Sequence, residues 1–365
     1  MHYKKSPFHS WHMANGAEMM WDDGYPWAYH EGKDPLEEYE AIRSAAGLLD
    51  LFPLFITEVS GAGSEKAIQH IFTNSLKEVK GGQIRYGAFV NPRGLMIDEG
   101  NVFKFADDLY WVIANGPCID TLMAEYASGL EVKFKSLTDE LATIGIQGPQ
   151  SREILQKFIA PDLDKLPYYR FWTEQTEIAG CMGWVARMGY SGEIGYEITV
   201  PVSDALPVWE ALIKEGGKPF GIIAVDIARI EVGLLLIYED YMPGRHSPWD
   251  LSMDRFIKVN TDCLAARELA EYGKNPPLRL KTLKLQGDVV PARCDGVFRE
   301  GEIVGSVTSP AFSPRLGSIA LAMLDSEHAE NGVQVEVSTG GKMIPAEVQV
   351  LSLLDPEKKR PRGLK

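Results

Sequence analysis

The sequence predicts an α+β protein that ends in a small all-β unit. Three observations carry this expectation. Helix-period and strand-period stretches alternate between residues 35 and 272. A helix end at Arg267–Tyr272 is followed by the break Gly273-Lys274-Asn275-Pro276-Pro277. Beyond the break, short apolar runs alternate with turns, the pattern of a small barrel or sandwich. These divide the chain into residues 1–272 and 273–365.

In chain order, Pro35–Asp50 begins as a helix. Pro35 suits a first turn after Asp34, Leu36, Tyr39, Ile42 and Ala46 recur at helical spacing, and Gly47 breaks the run. Leu51–Val59 is apolar enough for a strand, and Ser64–Leu76 reads as an amphipathic helix. Tyr86–Val90 and Leu95–Phe103 form strands around the turn Asn91-Pro92-Arg93-Gly94. Strands follow at Trp111–Asn115, Ala142–Ile146 and Trp184–Arg187. Helices are expected at Ser151–Phe158, Ala205–Lys214 and Ile222–Leu236. The C-terminal strands are Leu280–Leu285, Gly301–Thr308, Ser318–Met323, Val333–Val337 and Glu347–Leu351.

Composition narrows the function classes. With 45% hydrophobic residues in 365, the chain can bury a large core. A net charge of -14 argues against nucleic acid or anionic membrane surfaces as main partners. Cys118, Cys181, Cys263 and Cys294 contain no CxxC pair, so buried free thiols are expected rather than disulfides or zinc. His9, His12 and His30 match no metal-ligand spacing, and no metal is expected. The N-terminus lacks a signal-peptide core and no apolar run reaches membrane-span length. The expectation is a soluble, cytoplasmic protein.

Four stretches carry chemistry. In Met188–Ile198, Gly189, Gly192 and Gly195 imply a tight backbone path beside a strand, and Glu197 alternates with Tyr196 and Ile198. Such a carboxylate can accept two parallel hydrogen bonds from a planar donor; an ordinary hairpin with one solvated glutamate is the plainer reading. In Leu95–Phe103, Asp98 and Glu99 interrupt an apolar strand, and at most one can face a given pocket. A carboxylate in such surroundings is a general-base or electrostatic candidate. Arg229, inside an apolar helix, requires a carboxylate or a ligand. The start of the chain concentrates Trp21, Asp22, Asp23, Tyr25 and Trp27, an aromatic and acidic wall suited to a cationic group. The simpler reading is an irregular segment packed on the core.

Taken together, Ser6-Pro7-Phe8, Gly16–Met19, Ala45–Asp50, Gly94–Glu99, Ile146–Pro149, Gly189–Glu193 through Ile198, Asp226–Gly233, Gly305–Ser309 and Ser313-Pro314 resemble the folate-dependent aminomethyltransferases. That is the family of the glycine cleavage T-protein, and the resemblance covers nearly the whole chain. It implies a three-subdomain cloverleaf around a central hole holding tetrahydrofolate, with a C-terminal β-barrel. It makes Asp98 the catalytic aspartate near folate N5 and Glu197 the grip on the pteridine edge. Tyr190, Arg229, Tyr86 and Asn115 become pocket residues, and Trp21, Tyr25 and Trp27 become candidates for the donor. Three departures stand out: Glu99 replaces a second aspartate, Asp50-Leu51-Phe52-Pro53-Leu54-Phe55 replaces an Asp-Val-Ser-His-Met-Gly segment, and Asp250–Asp254 replaces a Glu-Ala-Gly-Leu-Gly segment.

The expected activity is a tetrahydrofolate-dependent methyltransferase, or demethylase, with a small S-, N- or O-methyl donor. One alternative is the aminomethyltransferase of glycine cleavage, with lipoylated H-protein as partner. Another is a folate-binding protein of this fold without transfer activity.

Overall fold

The computed structural model describes residues 5–22, 25–52 and 54–364. Most of the N-terminal part is organised on one continuous sheet. Its strands run Lys218–Pro219, Gly47–Asp50, Leu141–Gln147, Gly195–Pro201, Cys181–Arg187, Arg170–Phe171, Gln83–Val90, Met96–Ala106, Leu109–Ala114, Phe55–Ser60 and Lys133–Ser136, with Thr176–Ile178 paired to Cys181–Arg187 off this path. The two-residue strand Arg170–Phe171 joins two halves. It pairs on one side with Arg187 and Ala186 and on the other with Gln83.

Each half has its own core. In the first, Tyr196, Ile198 and Val200 pack with Trp209 and Leu212 of the helix Val202–Lys214. In the second, Val102, Tyr110 and Val112 pack with Ile68 and Met123 from two short helices. Full burial of such side chains stabilises by about 1.5–3 kcal/mol each.

The third body is a closed barrel of six strands: Leu278–Leu285, Gly296–Arg299, Glu302–Ser313, Gly317–Asp325, Gln334–Thr339 and Lys342–Gln349. Its inside is apolar, with Leu283, Val297, Ala320 and Val348 buried. A cluster containing Tyr39, Ile42, Ala224, Ala228, Ile319, Leu321 and Met323 fuses barrel to sheet.

Two helices set this junction. Pro35–Ser44 starts where Asp34 accepts a bond from the Leu36 amide at 2.9 Å, with Pro35 at the first position and Glu37 and Glu38 in the first turn. It packs on Ile222–Glu231, and Arg43 crosses between them. Arg43 contacts Glu231 Oε2 at 2.5 Å, Glu193 Oε1 at 3.1 Å, and the carbonyls of Ser191 and Ala228. Glu231 also accepts bonds from Tyr39, at 2.6 Å, and from Ser313 of the barrel.

Several expectations are corrected. The N-terminal segment is ordered rather than irregular: helix His9–Ala14 leads to a hairpin of Glu18–Asp22 and Tyr25–His30. The hairpin crosses the start of Ile222–Glu231 so closely that a Cβ on Gly221 would lie 2.6 Å from the Tyr29 carbonyl. Asp23 and Pro53 lie outside the described residues.

The run Leu51–Val59 is not one strand; the strand is Phe55–Ser60, after a turn in which the Leu54 amide bonds the Leu51 carbonyl. The helix from Ser64 stops at Gln69, whose side chain bonds the Phe72 and Asn74 carbonyls and the Leu76 amide instead. The helix from Ile222 ends at Glu231, ahead of Gly233 at φ 63. The barrel contains Gly296–Arg299, which the sequence did not betray, and its last strand is Lys342–Gln349. Of the four free cysteines only Cys263 is buried; Cys118 and Cys294 are exposed. Among the described residues no helix is long and apolar enough to cross a membrane.

His12 fastens the first helix. Its Nδ1 lies 2.8 Å from Glu31 and its Nε2 lies 3.3 Å from Asp50, which Ser6 also reaches. Burial alone would lower its pKa, but the bonds to Asp50 and Glu31 outweigh burial and raise it to about 9. A raised folded-state pKa adds stability that is full below about 6.5 and disappears as pH climbs through about 9. The wild type is therefore expected to lose on the order of 2–3 kcal/mol over that window, and His12→Gln to lack this loss. Thermal melts at pH 6.5 and 9.5 check it. Equal pH dependence in both proteins would sink the idea.

Candidate functional site

The two halves of the sheet, the N-terminal hairpin, the helix Ile222–Glu231 with the loops after it, and the segment that follows the barrel enclose a cavity of about 300 Å³, within the usual range for small-molecule sites. Its walls come from distant parts of the chain: Met20 and Trp27 from the hairpin, Tyr86, Glu99 and Asn115 from the second half-sheet, Tyr190 and Glu197 from the first, and Leu351–Pro361 from the segment after the barrel.

Glu197 sits where strand alternation puts it. Tyr196 and Ile198 point into the half-sheet core, and Glu197 points the other way, into the cavity. Its cross-strand neighbours are Ala186 and Gly145, too small to cover it. It is 7% exposed and accepts a hydrogen bond from no described residue. Burial alone raises its pKa to about 7. The preceding loop is shaped by Gln147, whose amide lies between Gly189 and Gly195. A Cβ on Gly189 would stand 1.9 Å from its oxygen, and one on Gly195 2.5 Å from it.

Asp98 and Glu99 separate as adjacent strand residues must. Glu99 faces the cavity. Asp98 faces away, and accepts bonds from Asn115 Nδ2 at 2.9 Å, the Gly116 amide at 2.8 Å, the Glu99 amide at 2.7 Å and the Tyr241 hydroxyl at 3.2 Å. Burial raises the Asp98 pKa, and these donors pull it back. For Glu99, burial raises the pKa to about 7; the Tyr86 hydroxyl lowers it and the Asp98 charge raises it. Asn115 Nδ2 also reaches the Glu99 carbonyl at 3.1 Å, so Asp98 fixes the amide that stands beside Glu99.

Of the other residues singled out in the sequence, Tyr86, Asn115, Tyr190 and Trp27 line the cavity. Tyr190 donates to the Leu235 carbonyl, and Tyr86 meets the Phe256 ring edge-on at 4.8 Å. Arg229 lies behind the wall, 1% exposed. It binds Asp226 at 2.9 Å, Asp240 at 2.7 Å, the Leu234 carbonyl at 3.2 Å and Ser309 at 2.8 Å. This places Asp226 and Leu234–Leu236 on the wall. Trp21 is 56% exposed, and Tyr25 packs edge-on to Phe55 at 6.2 Å; neither lines the cavity.

Sequence reasoning missed Tyr168, Tyr169, Arg255 and Lys358, which all reach the cavity. Tyr169, Ser252 and Lys358 line it with φ of 60, 56 and 52, in the region non-glycine residues seldom adopt. No sequence pattern announces those backbone angles.

Comparison with known proteins agrees with this architecture. Residues 8–261 match the family model of the GCVT N-terminal domain, and residues 279–355 match that of the glycine cleavage T-protein C-terminal barrel domain. The chain is 31% identical over 321 residues to an aminomethyltransferase of Thermoanaerobacter sp., covering 85% of this chain and 87% of that protein. It is 35% identical over 350 residues to a trimethylamine-oxide aldolase of Ruegeria pomeroyi, covering 90% of this chain but 44% of that protein. The crystal structure of glycine cleavage system aminomethyltransferase T from Bartonella henselae superposes with a TM-score of 0.88 at 23% identity, over 96% of this chain and 98% of that one. At that identity the superposition establishes the fold.

The buried carboxylates make the stability of the protein pH-sensitive. A folded-state pKa raised to about 7 at Glu197 means stability is lost as pH rises from about 4.5 through about 7. Glu197→Gln is expected to raise the melting free energy by on the order of 1–3 kcal/mol at pH 8 and to change little at pH 5. Denaturant titrations at the two pH values check this, and destabilisation at pH 8 would refute it.

Proposed function

We propose that this chain, which belongs to the glycine cleavage T-protein family, transfers a one-carbon group from a small methylated donor to N5 of tetrahydrofolate bound in the central cavity. The observation that carries the reading is Glu197. A buried carboxylate without a partner is costly, and a planar ligand edge with two parallel N–H donors relieves that cost. The pteridine ring offers such an edge, and Tyr169, Tyr190 and Trp27 supply flat apolar walls for a ring. The residues present therefore fit the group.

When bound, tetrahydrofolate supplies the nucleophilic nitrogen, so the chain need not provide a covalent one. Its own residues bind, orient and manage a proton. We assign Glu99 to that proton, because it is the carboxylate on the wall and its pKa of about 7 lies near the working pH. Tyr86 and Asn115 hold Glu99, and Asp98 acts through Asn115 rather than on the ligand. The catalytic role first read onto Asp98 thus passes to its neighbour.

The donor side favours a small molecule. Met20, Trp27, Leu51 and Leu54 give the cavity an apolar wall with one indole face, suited to a methylated cation. The relative that is a trimethylamine-oxide aldolase supports one-carbon chemistry on methylated amines in this family. The second reading is the aminomethyltransferase of glycine cleavage, with lipoylated H-protein as donor. Relatives of that name near 30% identity, aligned over most of their own length, favour it.

Calorimetric titration with tetrahydrofolate, then mass spectrometry of the folate product, separates the readings. The expected result is binding, and a methylated or methylene folate formed from pooled sulfonium, amine or methoxy donors. Product from aminomethylated H-protein alone would replace this reading by glycine cleavage. Glu197→Ala is expected to weaken folate binding by about 1–3 kcal/mol. Glu99→Gln is expected to keep folate affinity within a few-fold and to lower turnover about 100-fold or more. Full turnover in Glu99→Gln would remove it from the mechanism.

A further inference from the structure

One polar side chain on the cavity wall has no task in the fold. Asn101 stands in the middle of the strand Met96–Ala106, opposite Tyr86 on one side and Ile113 on the other, and all three line the cavity. Its Oδ1 is buried and has no hydrogen-bond partner among the described residues. The polar groups around it are engaged: Asn115 Nδ2 with Asp98 and the Glu99 carbonyl, the Tyr86 hydroxyl with Glu99, and the Tyr190 hydroxyl with the Leu235 carbonyl. A buried acceptor without a donor costs stability, and an apolar residue of the same shape would avoid that cost.

The strand register says where this amide lies. Phe105, Phe103, Asn101 and Glu99 alternate onto one face of their strand, the first two in an apolar cluster and the last two on the cavity wall. Glu197 pairs across to Ala186, and Ala186 to Phe171, whose ring meets Phe105 at 4.7 Å and Phe103 at 5.0 Å. Counted from that row, Asn101 comes before Glu99, two residues or about 6.5 Å of strand short of it. Tyr169 feels the charges of both Glu197 and Glu99, so the sheet curves to bring the two carboxylates to one space. A flat ligand that reaches from Glu197 to Glu99 passes Asn101 on the way.

Ring chemistry picks the atoms. In the folate reading Glu197 takes the edge with the 2-amino group and N3–H, and Glu99 serves N5. The reduced ring has one further N–H, at N8, and N1 beside it is an acceptor. A primary amide complements that pair: its oxygen accepts from N8–H while its NH2 donates to N1, the two-bond pattern by which asparagine reads adenine. The side chain of Asn101 makes no hydrogen bond with a described residue, so its amide can turn about its last bond and present both atoms to the ring. The opposite long edge of the ring ends in the reacting nitrogen, whose proton falls to Glu99. In the fully oxidised ring N8 carries a lone pair instead of a hydrogen. N1 and N8 are then both acceptors, and no turn of the amide satisfies both.

We propose that Asn101 is a specificity-determining residue that pairs with the N1 and N8–H edge of the ring and selects reduced folate over the fully oxidised form; this rests on the folate reading above. The selection serves the transfer, because the fully oxidised ring has no nucleophilic N5 and would only block the cavity. The orphaned acceptor is then a cost the unliganded protein carries and the correct ligand removes.

The test is calorimetry on the full chain with three ligands: tetrahydrofolate, 8-deazatetrahydrofolate, which lacks N8–H, and 5,10-dideazatetrahydrofolate, which keeps N8–H and lacks N5–H. Asn101→Leu is expected to bind tetrahydrofolate and the 5,10-dideaza ligand about tenfold more weakly than wild type, the effect of one neutral hydrogen-bonded pair. It should bind the 8-deaza ligand about as well as wild type does. Asn101→Ala should show the same pattern. Without ligand, Asn101→Leu should melt no lower than wild type, since it buries no orphaned acceptor. Equal weakening toward all three ligands, with a lowered melting temperature, would make Asn101 a structural residue and overturn the proposal. So would unchanged affinity for all three, or a loss that follows N5–H instead of N8–H. Failure of wild type to bind tetrahydrofolate would remove the folate reading itself, and this pairing with it.

Discussion

The salt bridge between Arg43 and Glu231 is the contact on which the architecture depends. Both side chains are fully buried, and each is shared. Arg43 ties the helix Pro35–Ser44 to the glycine loop through Ser191 and Glu193, while Glu231 ties the helix Ile222–Glu231 to the barrel through Ser313. Four parts of the chain meet at one ion pair. A pair so buried contributes little over an apolar replacement, yet removing one member strands the other at a cost of about 3–5 kcal/mol. Its value is geometric: it fixes how the helix Pro35–Ser44, the glycine loop, the helix Ile222–Glu231 and the barrel sit against one another, and the glycine loop and the helix Ile222–Glu231 both line the cavity.

A second buried arginine extends the same logic to the wall. Arg229 satisfies Asp240, Asp226, a carbonyl and a barrel serine at once. It touches no ligand space, yet it sets the loop that does. The site thus has a polar layer inside the wall and another behind it. The outer layer is saturated with internal bonds; the inner layer, at Glu197, is left with capacity for a ligand. Among the described residues that contrast marks where a ligand belongs more sharply than volume does.

Much of this was legible in the sequence, and the misses have physical causes. Glu197 could be read because period-2 alternation between Tyr196 and Ile198 fixes which way it points once its neighbours are buried. Asp98 against Glu99 could not be settled the same way. Alternation says that one of them faces the cavity, but the pairing slips between Phe89 and Val90, and a bulge resets the parity without a residue signature. The partner of Arg229 was expected, but Asp240 lies eleven residues away on a loop whose path depends on tertiary contacts. Lys358 sits in Pro356-Glu357-Lys358-Lys359-Arg360, which reads as a solvated charge run. Only the amide-collecting turn at Asp355 brings it to the cavity. The barrel strand Gly296–Arg299 is four residues long and flanked by charge, below what periodicity can detect.

The cavity wall joins residues near position 20 to residues near position 360. Contacts of such sequence separation close last, because their loop entropy is met only after local structure has formed. Each half-sheet can condense on its own core while the chain is still emerging from the ribosome, with neither holding a complete site. Binding competence then appears late and all at once. During that interval the apolar cavity lining and the unpaired Glu197 are open to water, so ligand present at synthesis acts as a folding partner as well as a substrate.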